Sequence, residues 1–318
     1  MMKIFRGAQA IRRPPPRAVV TIGMFDGLHL AHQQLIRTAV RLARQRQGTS
    51  LALTFDPDPQ RVLAPSKALP PLMPLAHRIE LMRALGLDLV WVLPFTRRFS
   101  RLTPETFVRT ILVERLRAQC VVVGRGFAFG NDRRGDLALM ARVGAPDGLL
   151  VVALPFLVRG GTPISSSRIR HLIQRGDVQE ARVLLGRPSQ LSGLVVRGRG
   201  IGHRLGFPTA NVRLDPVLLP ASGVYRVWMW RQTTPSIRWT GLMNLGHRPT
   251  FLPAPPVRQA GGQGPFVCEV YLVGFRGRLY GQRVHLGLLQ RLRAERRFAS
   301  PEALVQQIHR DLAAAHLA

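Results

Sequence analysis

The sequence predicts a parallel α/β domain over residues 1–186, followed by a small antiparallel β domain with a terminal helix over residues 187–318. Three observations carry this. Before Gly186, short β-branched runs alternate with helical patterns, the texture of a parallel sheet. After Gly186–Arg187–Pro188, glycines and prolines punctuate short alternating runs, the texture of a barrel or sandwich. The chain of 318 residues is also about twice the length of one ordinary domain.

Taken in order, strands are expected at Ala18–Gly23, Ser50–Phe55, Leu87–Leu93, Cys120–Val123 and Leu150–Leu154, each a compact apolar run. Between the first two, His32–Gln45 reads as a helix with Leu35, Ile36, Ala39, Val40 and Leu42 apolar. Arg37, Arg41 and Arg44 follow one another along that helix as a solvated face. Thr103–Pro104 gives an N-cap with Pro at the first helical position, and Glu105 suits the helix dipole. Ser165–Arg175 and Val178–Leu185 form a helical pair broken at Gly176–Asp177. In the second domain, strands are expected at Leu191–Val196, Val224–Trp230, Leu242–Leu245, Val267–Val273 and Arg283–Leu289. Pro253–Gly264 reads as a flexible loop. A last helix follows Ser300–Pro301–Glu302, with Leu304, Val305, Ile308, Leu312 and Ala315 on the face that packs against the β domain.

Hydrophobic residues make up 46% and charged residues 20%, which excludes a disordered or collagen-like chain. Charge is the outlier: the net value is +29, and 44 of the 46 basic residues are arginine. Such a chain favours polyanions, whether nucleic acid, an anionic membrane or small phosphorylated molecules. The excess is spread through both domains, with no run of five like charges, which argues for a solvated surface over a nucleic-acid arm. The only lysines, Lys3 and Lys67, do not follow a glycine loop, so a Walker-type phosphate loop is excluded. Cys120 and Cys268 sit in apolar runs without a CxxC, so neither a disulfide framework nor a zinc site is supported. No apolar leader or spanning segment is read, and the expectation is a cytoplasmic protein with no membrane partner.

The first strand runs into GMFDGLHLAH, Gly23–His32. A strand ending in a Gly-rich turn that opens a helix binds phosphate, because free helix N-terminal amides and the dipole favour anions. Gly23, Phe25, Asp26 and Gly27 shape that turn, and His29 and His32 can donate hydrogen bonds to a phosphate whose charge develops during transfer. A metal pair or a purely structural turn are the other readings of the same residues. Downstream, Ser165, Ser166 and Ser167 cap a helix with Arg168 in its first turn, which in isolation reads as local capping.

The second domain opens with RGRGIGHRLGFPTAN, Arg197–Asn211. Gly198, Gly200 and Gly202 let backbone amides approach phosphate oxygens, and Pro208–Thr209–Ala210–Asn211 reads as a stop after the turn. The Thr209 hydroxyl and the Asn211 carbonyl are oxygen donors of the kind Mg²⁺ takes.

Together, GxFDGxHxxH and the later SSxR resemble the nucleotidylyltransferase superfamily. LTFDPDPQRVL (Leu53–Leu63), FVRTILVERL (Phe107–Leu116) and VVVGRGFAFGNDRRGD (Val121–Asp136) resemble the FMN adenylyltransferase half of bacterial bifunctional riboflavin kinase/FAD synthetases. The stretch from RGRGIGHRLGFPTAN through GVYRV, GLMNLGHRPTF, CEVYL and LYGQRVHLGLLQRLRAERRF resembles riboflavin kinase over nearly its whole length. The resemblance implies a Rossmann-like α/β nucleotidylyltransferase domain before a six-stranded kinase barrel with a C-terminal helix. It implies that riboflavin and ATP give FMN in the second domain, and FMN and ATP give FAD and pyrophosphate in the first. ATP is then a co-substrate with Mg²⁺, no tightly bound prosthetic group is required, and riboflavin, FMN and FAD are the other partners.

By the same resemblance, His29, His32 and Arg168 are catalytic in the first domain, with ATP on Gly23, Phe25, Asp26, Gly27, Ser165 and Ser166. The flavin lies on Asp58, Gly126 and Phe127. In the second domain ATP lies on Gly198, Gly200, Gly202, Pro208 and Thr209, Mg²⁺ on Thr209 and Asn211, and Glu269 is the general base. Asn244, Pro249 and Thr250 either shape the flavin side or form a structural turn. The residues agree on Glu269: this domain has five carboxylates, and Glu269 alone lies in a predicted strand. Glu302 caps a helix, Glu295 and Asp311 fall on charged helical stretches, and Asp215 lies in a Pro-flanked loop.

Ala31, Asp58, Gly126 and Ser167 stand where the family usually has Gly, His, an Asn or acid, and Thr, and Arg278 replaces a usual acid on a surface turn. A carboxylate at Asp58 facing a triphosphate predicts a slowed adenylyl transfer, which leaves a kinase with a weakened or inactive first domain as one alternative. The other is a basic nucleic-acid-binding protein. It explains the charge but none of the spacings, and aromatics are only 7%, with no stacking module.

Overall fold

A computed structural model describes residues 2–198, 202, 205–247 and 266–317. They form two compact units, Met1–Leu69 with Leu75–Ser166, and Pro70–Pro74 with Ser167–Ala318.

In the first unit, strands β1 (Lys3–Arg6), β2 (Val19–Ile22), β3 (Ser50–Asp56), β4 (Leu89–Pro94), β5 (Cys120–Gly124) and β6 (Leu150–Leu154) make one all-parallel sheet in the order β1-β4-β3-β2-β5-β6. Central β2 is buried along its whole length, as a strand covered on both faces must be. Val20, Ile22, Leu51, Leu53, Val121 and Val123 point into one core layer, and Val19, Ala52, Cys120 and Val122 into the opposite layers. Helices α1 (Leu30–Gln45), α2 (Pro59–Leu63), α3 (Leu75–Ala84), α4 (Arg97–Ser100), α5 (Pro104–Phe107) and α6 (Leu137–Gly144) join the strands, and α5 winds on as a π-helix over Val108–Arg115. A two-stranded ribbon, β7 (Val158–Arg159) with β8 (Thr162–Pro163), precedes α7 (Ser166–Arg175). The five expected strands are present. The edge strand β1 and helix α3 were not expected, and β1, exposed at most positions, has no apolar run to announce it.

Sheet order fixes where a ligand fits. The chain moves from β2 to β3 and β4 on one side, then returns to β5 and β6 on the other. The crevice outside the C-terminal ends of β2 and β5 is therefore a topological switch point, where loops part and ligands bind. The Gly23–His32 turn follows β2, Asp58 follows β3 and Gly126 follows β5, so parallel strands deliver all three to one edge.

In the second unit, α7 leads into α8 (Val178–Leu185), and β9 (Ser189–Val196), β10 (Thr209–Leu214), β11 (Gly223–Arg231), β12 (Thr234–His247), β13 (Phe266–Leu272) and β14 (Arg283–Arg293) close a barrel in the order β10-β13-β12-β11-β14-β9. Between the barrel and sandwich readings, closure prevails. Bulges along β11 add local twist, and a closed ring leaves no edge strand. Tyr225, Val227, Met229, Met243, Leu245, Val270 and Leu286 fill the interior, and Val178 of α8 joins that cluster. Outside the barrel, Phe207, Val224 and Leu242 meet Leu312 of α9 (Pro301–Ala314) and Ala315 at its C-cap, so the terminal helix packs on the outer wall as its apolar face predicts. Thr209–Asn211, read from sequence as a stop, begins a strand: β-branched Thr209 and Val212 serve the ladder, and Pro208 lies just before it. Residues 253–264, Gly200, Pro249 and Thr250 lie outside the described residues.

Candidate active sites

The turn after β2 is built on a strained backbone. Phe25, Gly27 and Leu28 all take positive φ, at 52°, 77° and 39°. Only at Gly27 does the residue type make that conformation free of steric cost. The Phe25 ring is fully buried, Leu28 is 2% exposed, and both pack with Ile79 and Met82 of α3, which holds the other two in place. Asp26 is buried in the same turn, and Ser166 Oγ donates to its carbonyl at 2.9 Å. This bond brings the two distant motifs of the first domain together. Arg168, two residues on, lies in the second unit and pairs with Glu180 at 3.7 Å. Ser165 sits immediately before α7.

His29 caps α1, its Nδ1 accepting from the His32 amide at 3.4 Å, and the two imidazoles stack with centroids 3.6 Å apart. His32 Nδ1 has no hydrogen-bond partner among the described residues. Burial first, then His29 and the Arg78 guanidinium, push the His32 pKa well below its ordinary value of 6.5, so the ring is neutral at pH 7. A neutral ring with a free edge can donate to a phosphate. No group of three or more His, Cys, Asp or Glu able to hold a metal occurs among the described residues. The linkage has a definite sign. The unfolded chain takes up the proton first, so the stability linked to a neutral His32 is complete above 6.5 and is lost as pH falls below it. The unfolding free energy, measured by denaturant titration from pH 7.5 to 5.5, should fall more steeply in the parent than in His32→Gln, by up to about 1.4 kcal/mol per pH unit. Parallel curves would remove His32 from the acid response.

In the loop after β5, Phe127 stacks on Phe129 with centroids 5.6 Å apart, and a Cβ at Gly126 would strike the Phe156 ring. Phe156, in the segment after β6, is 58% exposed, so aromatic surface is presented beside this loop. Asp58 caps α2, accepting from the Gln60 amide at 2.8 Å, which gives one of its oxygens a fixed partner. Sequence reading missed Arg78. It is 5% exposed and donates through Nη1 to the Met24 carbonyl. The signal was present: Leu75, Arg78, Ile79 and Met82 share a helical spacing, with one cation on the apolar face.

In the barrel, register assembles the second site. Asn211 pairs with Glu269, Glu269 with Asn244, Asn244 with Val224 and Val224 with Arg293, a row across five strands. Thr209 and Tyr271 occupy the next outward row. Because alternate residues face the packed interior, Thr209, Asn211, Glu269 and Asn244 all face outward. There a cavity of about 340 Å³ opens between barrel wall and α9, lined by Thr209, Asn244, Glu269, Tyr271, Glu295 and Asp311 among others. A second concavity of about 200 Å³, lined by Pro208, Thr209, Ala210, Phe275 and Tyr280, shares Thr209 with the first. The loop glycines are explained by approach distance. A Cβ on Gly198 would run into the Asn211 amide, and one on Gly202 would lie 3.0 Å from Thr209 Oγ1 and closer still to the Phe207 carbonyl.

Glu295 is not helical but follows the end of β14, and both it and Asp311 line the Glu269 cavity. Three of the five carboxylates converge there. They differ in partners: Asp311 is 4% exposed and accepts from Arg293 Nε at 2.9 Å, Arg293 Nη2 at 2.8 Å and Gln307 at 2.7 Å. That closed set makes Asp311 an anchor of α9.

Two family models match the chain: FAD synthetase over residues 11–168 and riboflavin kinase over residues 185–318. A bifunctional riboflavin kinase/FMN adenylyltransferase of Escherichia coli strain K12 is 34% identical over 311 residues, covering 98% of this chain and 96% of that protein. One from Pseudomonas fluorescens is 35% identical over 314 residues, covering 99% and 97%. A solved structure described as a macrolide-efflux protein from Streptococcus pneumoniae superposes with a TM-score of 0.84 at 30% identity, covering 96% of this chain and 95% of that one. Among the described residues no helix is long and apolar enough to cross a membrane. With both family models in sequence order and these relatives aligned nearly end to end, the chain belongs to the bifunctional riboflavin kinase/FMN adenylyltransferase family.

Proposed function

We propose that this protein makes FAD from riboflavin in two ATP-dependent steps. In residues 187–318, Glu269 takes the proton from the terminal ribityl hydroxyl, whose oxygen attacks the γ-phosphorus of ATP, giving FMN and ADP. In residues 1–186, an FMN phosphate oxygen attacks the α-phosphorus of a second ATP, pyrophosphate leaves, and FAD results. The outward row of Asn211, Glu269 and Asn244 beside the cavity is the observation that carries this reading.

Thr209 Oγ1 and the Asn211 side-chain oxygen would hold Mg²⁺. They are hard oxygen donors two residues apart on one strand face, and an ion that keeps waters and substrate phosphates needs few protein ligands. When bound, the ion neutralises phosphate charge. Gly198, Gly200, Gly202 and Pro208 place the ATP phosphates, and the sharing of Thr209 by two concavities supports ATP and riboflavin approaching it from opposite sides.

In the first domain, Gly23, Phe25, Asp26, Gly27, Ser165 and Ser166 cradle the triphosphate, His29, His32 and Arg168 stabilise charge on it, and Asp58, Gly126 and Phe127 border the flavin. Riboflavin, FMN and FAD are substrates and products, so no resident prosthetic group is required. The protein works in the cytoplasm, and the polyanions its charge attracts are small phosphorylated molecules, not nucleic acid.

Pure protein incubated with riboflavin, ATP and Mg²⁺, with flavins separated by chromatography, should show FMN first and FAD after it. FMN accumulating with no FAD would refute the two-step reading.

A further inference from the structure

Arg78 has a buried position for which the reaction scheme gives no role. It stands on the face of α3 that packs against the Gly-rich turn, between Leu75 and Ile79. A buried guanidinium is strongly disfavoured unless charge and hydrogen bonds compensate it. Its Nη1 donates to the Met24 carbonyl inside the turn, while its Nε has no hydrogen-bond partner among the described residues. Asp26 in the turn, Asp56 at the end of β3 and Asp58 at the cap of α2 all act electrostatically on its charge, and that charge acts in turn on the His32 imidazole. One cation thus stands against three carboxylates from three elements, all at the edge where the triphosphate would bind.

We propose that Arg78 is a positioning residue for adenylyl transfer: it ties the Gly-rich turn to α3 through Met24 and offsets Asp26, Asp56 and Asp58, so that the site accepts a triphosphate despite the carboxylate at Asp58. This rests on the adenylyltransferase reading above. It also changes the expectation for Asp58. With one oxygen held by the Gln60 amide and a buried cation nearby, that carboxylate does not confront ATP uncompensated.

The test uses the full chain and reads both activities. Arg78→Met should lower kcat/KM for FMN adenylylation by about 10²-fold, the scale of a misplaced substrate, with KM for ATP carrying most of the change and riboflavin phosphorylation unaltered. Adding Asp58→Asn to Arg78→Met should restore adenylylation by about tenfold, a coupling that a purely structural role would not show. Arg78→Lys, which keeps the charge, should stay within about tenfold of the parent.

Adenylylation by Arg78→Met close to the parent level, or no recovery with Asp58→Asn, overturns the proposal. If Arg78→Met does not fold, Arg78→Lys decides: retention supports the electrostatic role, and a hundredfold loss overturns it. Failure of the parent itself to make FAD would instead reject the adenylyltransferase reading, so the two failures are distinguishable.

Discussion

Glu269→Ala should lower FMN formation from riboflavin by about 10²–10⁴-fold, the span of a lost general base, and leave FAD formation from supplied FMN intact. Strand register sets the direction of this carboxylate. Glu269 lies between Asn211 and Asn244 on neighbouring strands, so its carboxylate is aimed at the outer wall by the same alternation that sends Cys268 and Val270 inward. Glu295 lines the same cavity, but from the irregular segment after β14, without a ladder to fix its direction. Asp311 is already committed to Arg293 and Gln307. Flavin chromatography with riboflavin and then with FMN as starting material measures both steps. Loss of both activities would mean that the chain does not divide its chemistry between two sites.

His29→Ala should produce the reverse pattern, with FAD formation reduced by about 10²–10³-fold, the typical cost of one lost charge-stabilising donor, and FMN accumulating in its place. His29 is 4% exposed and does two jobs, since it caps α1 and stacks on His32. His29→Asn separates them. Asparagine is a good N-cap but not an imidazole, so it should recover the thermal stability lost in the alanine variant while adenylylation stays low. Recovery of activity together with stability would reduce His29 to a structural cap.

Much of this was legible in the residues. Apolar runs such as Ser50–Phe55 and Cys120–Val123 read as buried strands and are, and the glycines and histidines of GMFDGLHLAH announce the turn that opens α1. Strand β10 was not legible: Thr209–Leu214 follows a proline and carries Asn211 and Arg213, polar residues that the site and the outer wall require and that erase the alternating pattern. Elimination by local texture chose Glu269 but misjudged its rivals. The charges around Glu295 look helical by composition, and only tertiary packing reveals that the chain there runs along the cavity. Arg78 was passed over for a different reason. Among 44 arginines, only the spacing of Arg78 with Leu75, Ile79 and Met82 sets it apart, and that faint signal gains weight once those neighbours are seen to be core.

The membership of Pro70–Pro74 in the barrel unit bears on how the chain is made. The Leu218 amide donates to the Pro71 carbonyl at 2.8 Å. During synthesis at about 5–20 residues per second, that carbonyl waits on the order of 10 s for its donor to emerge, while the parallel sheet around it is already forming. Pro70, Pro71 and Pro74 keep this segment from joining a helix while its partner is still untranslated.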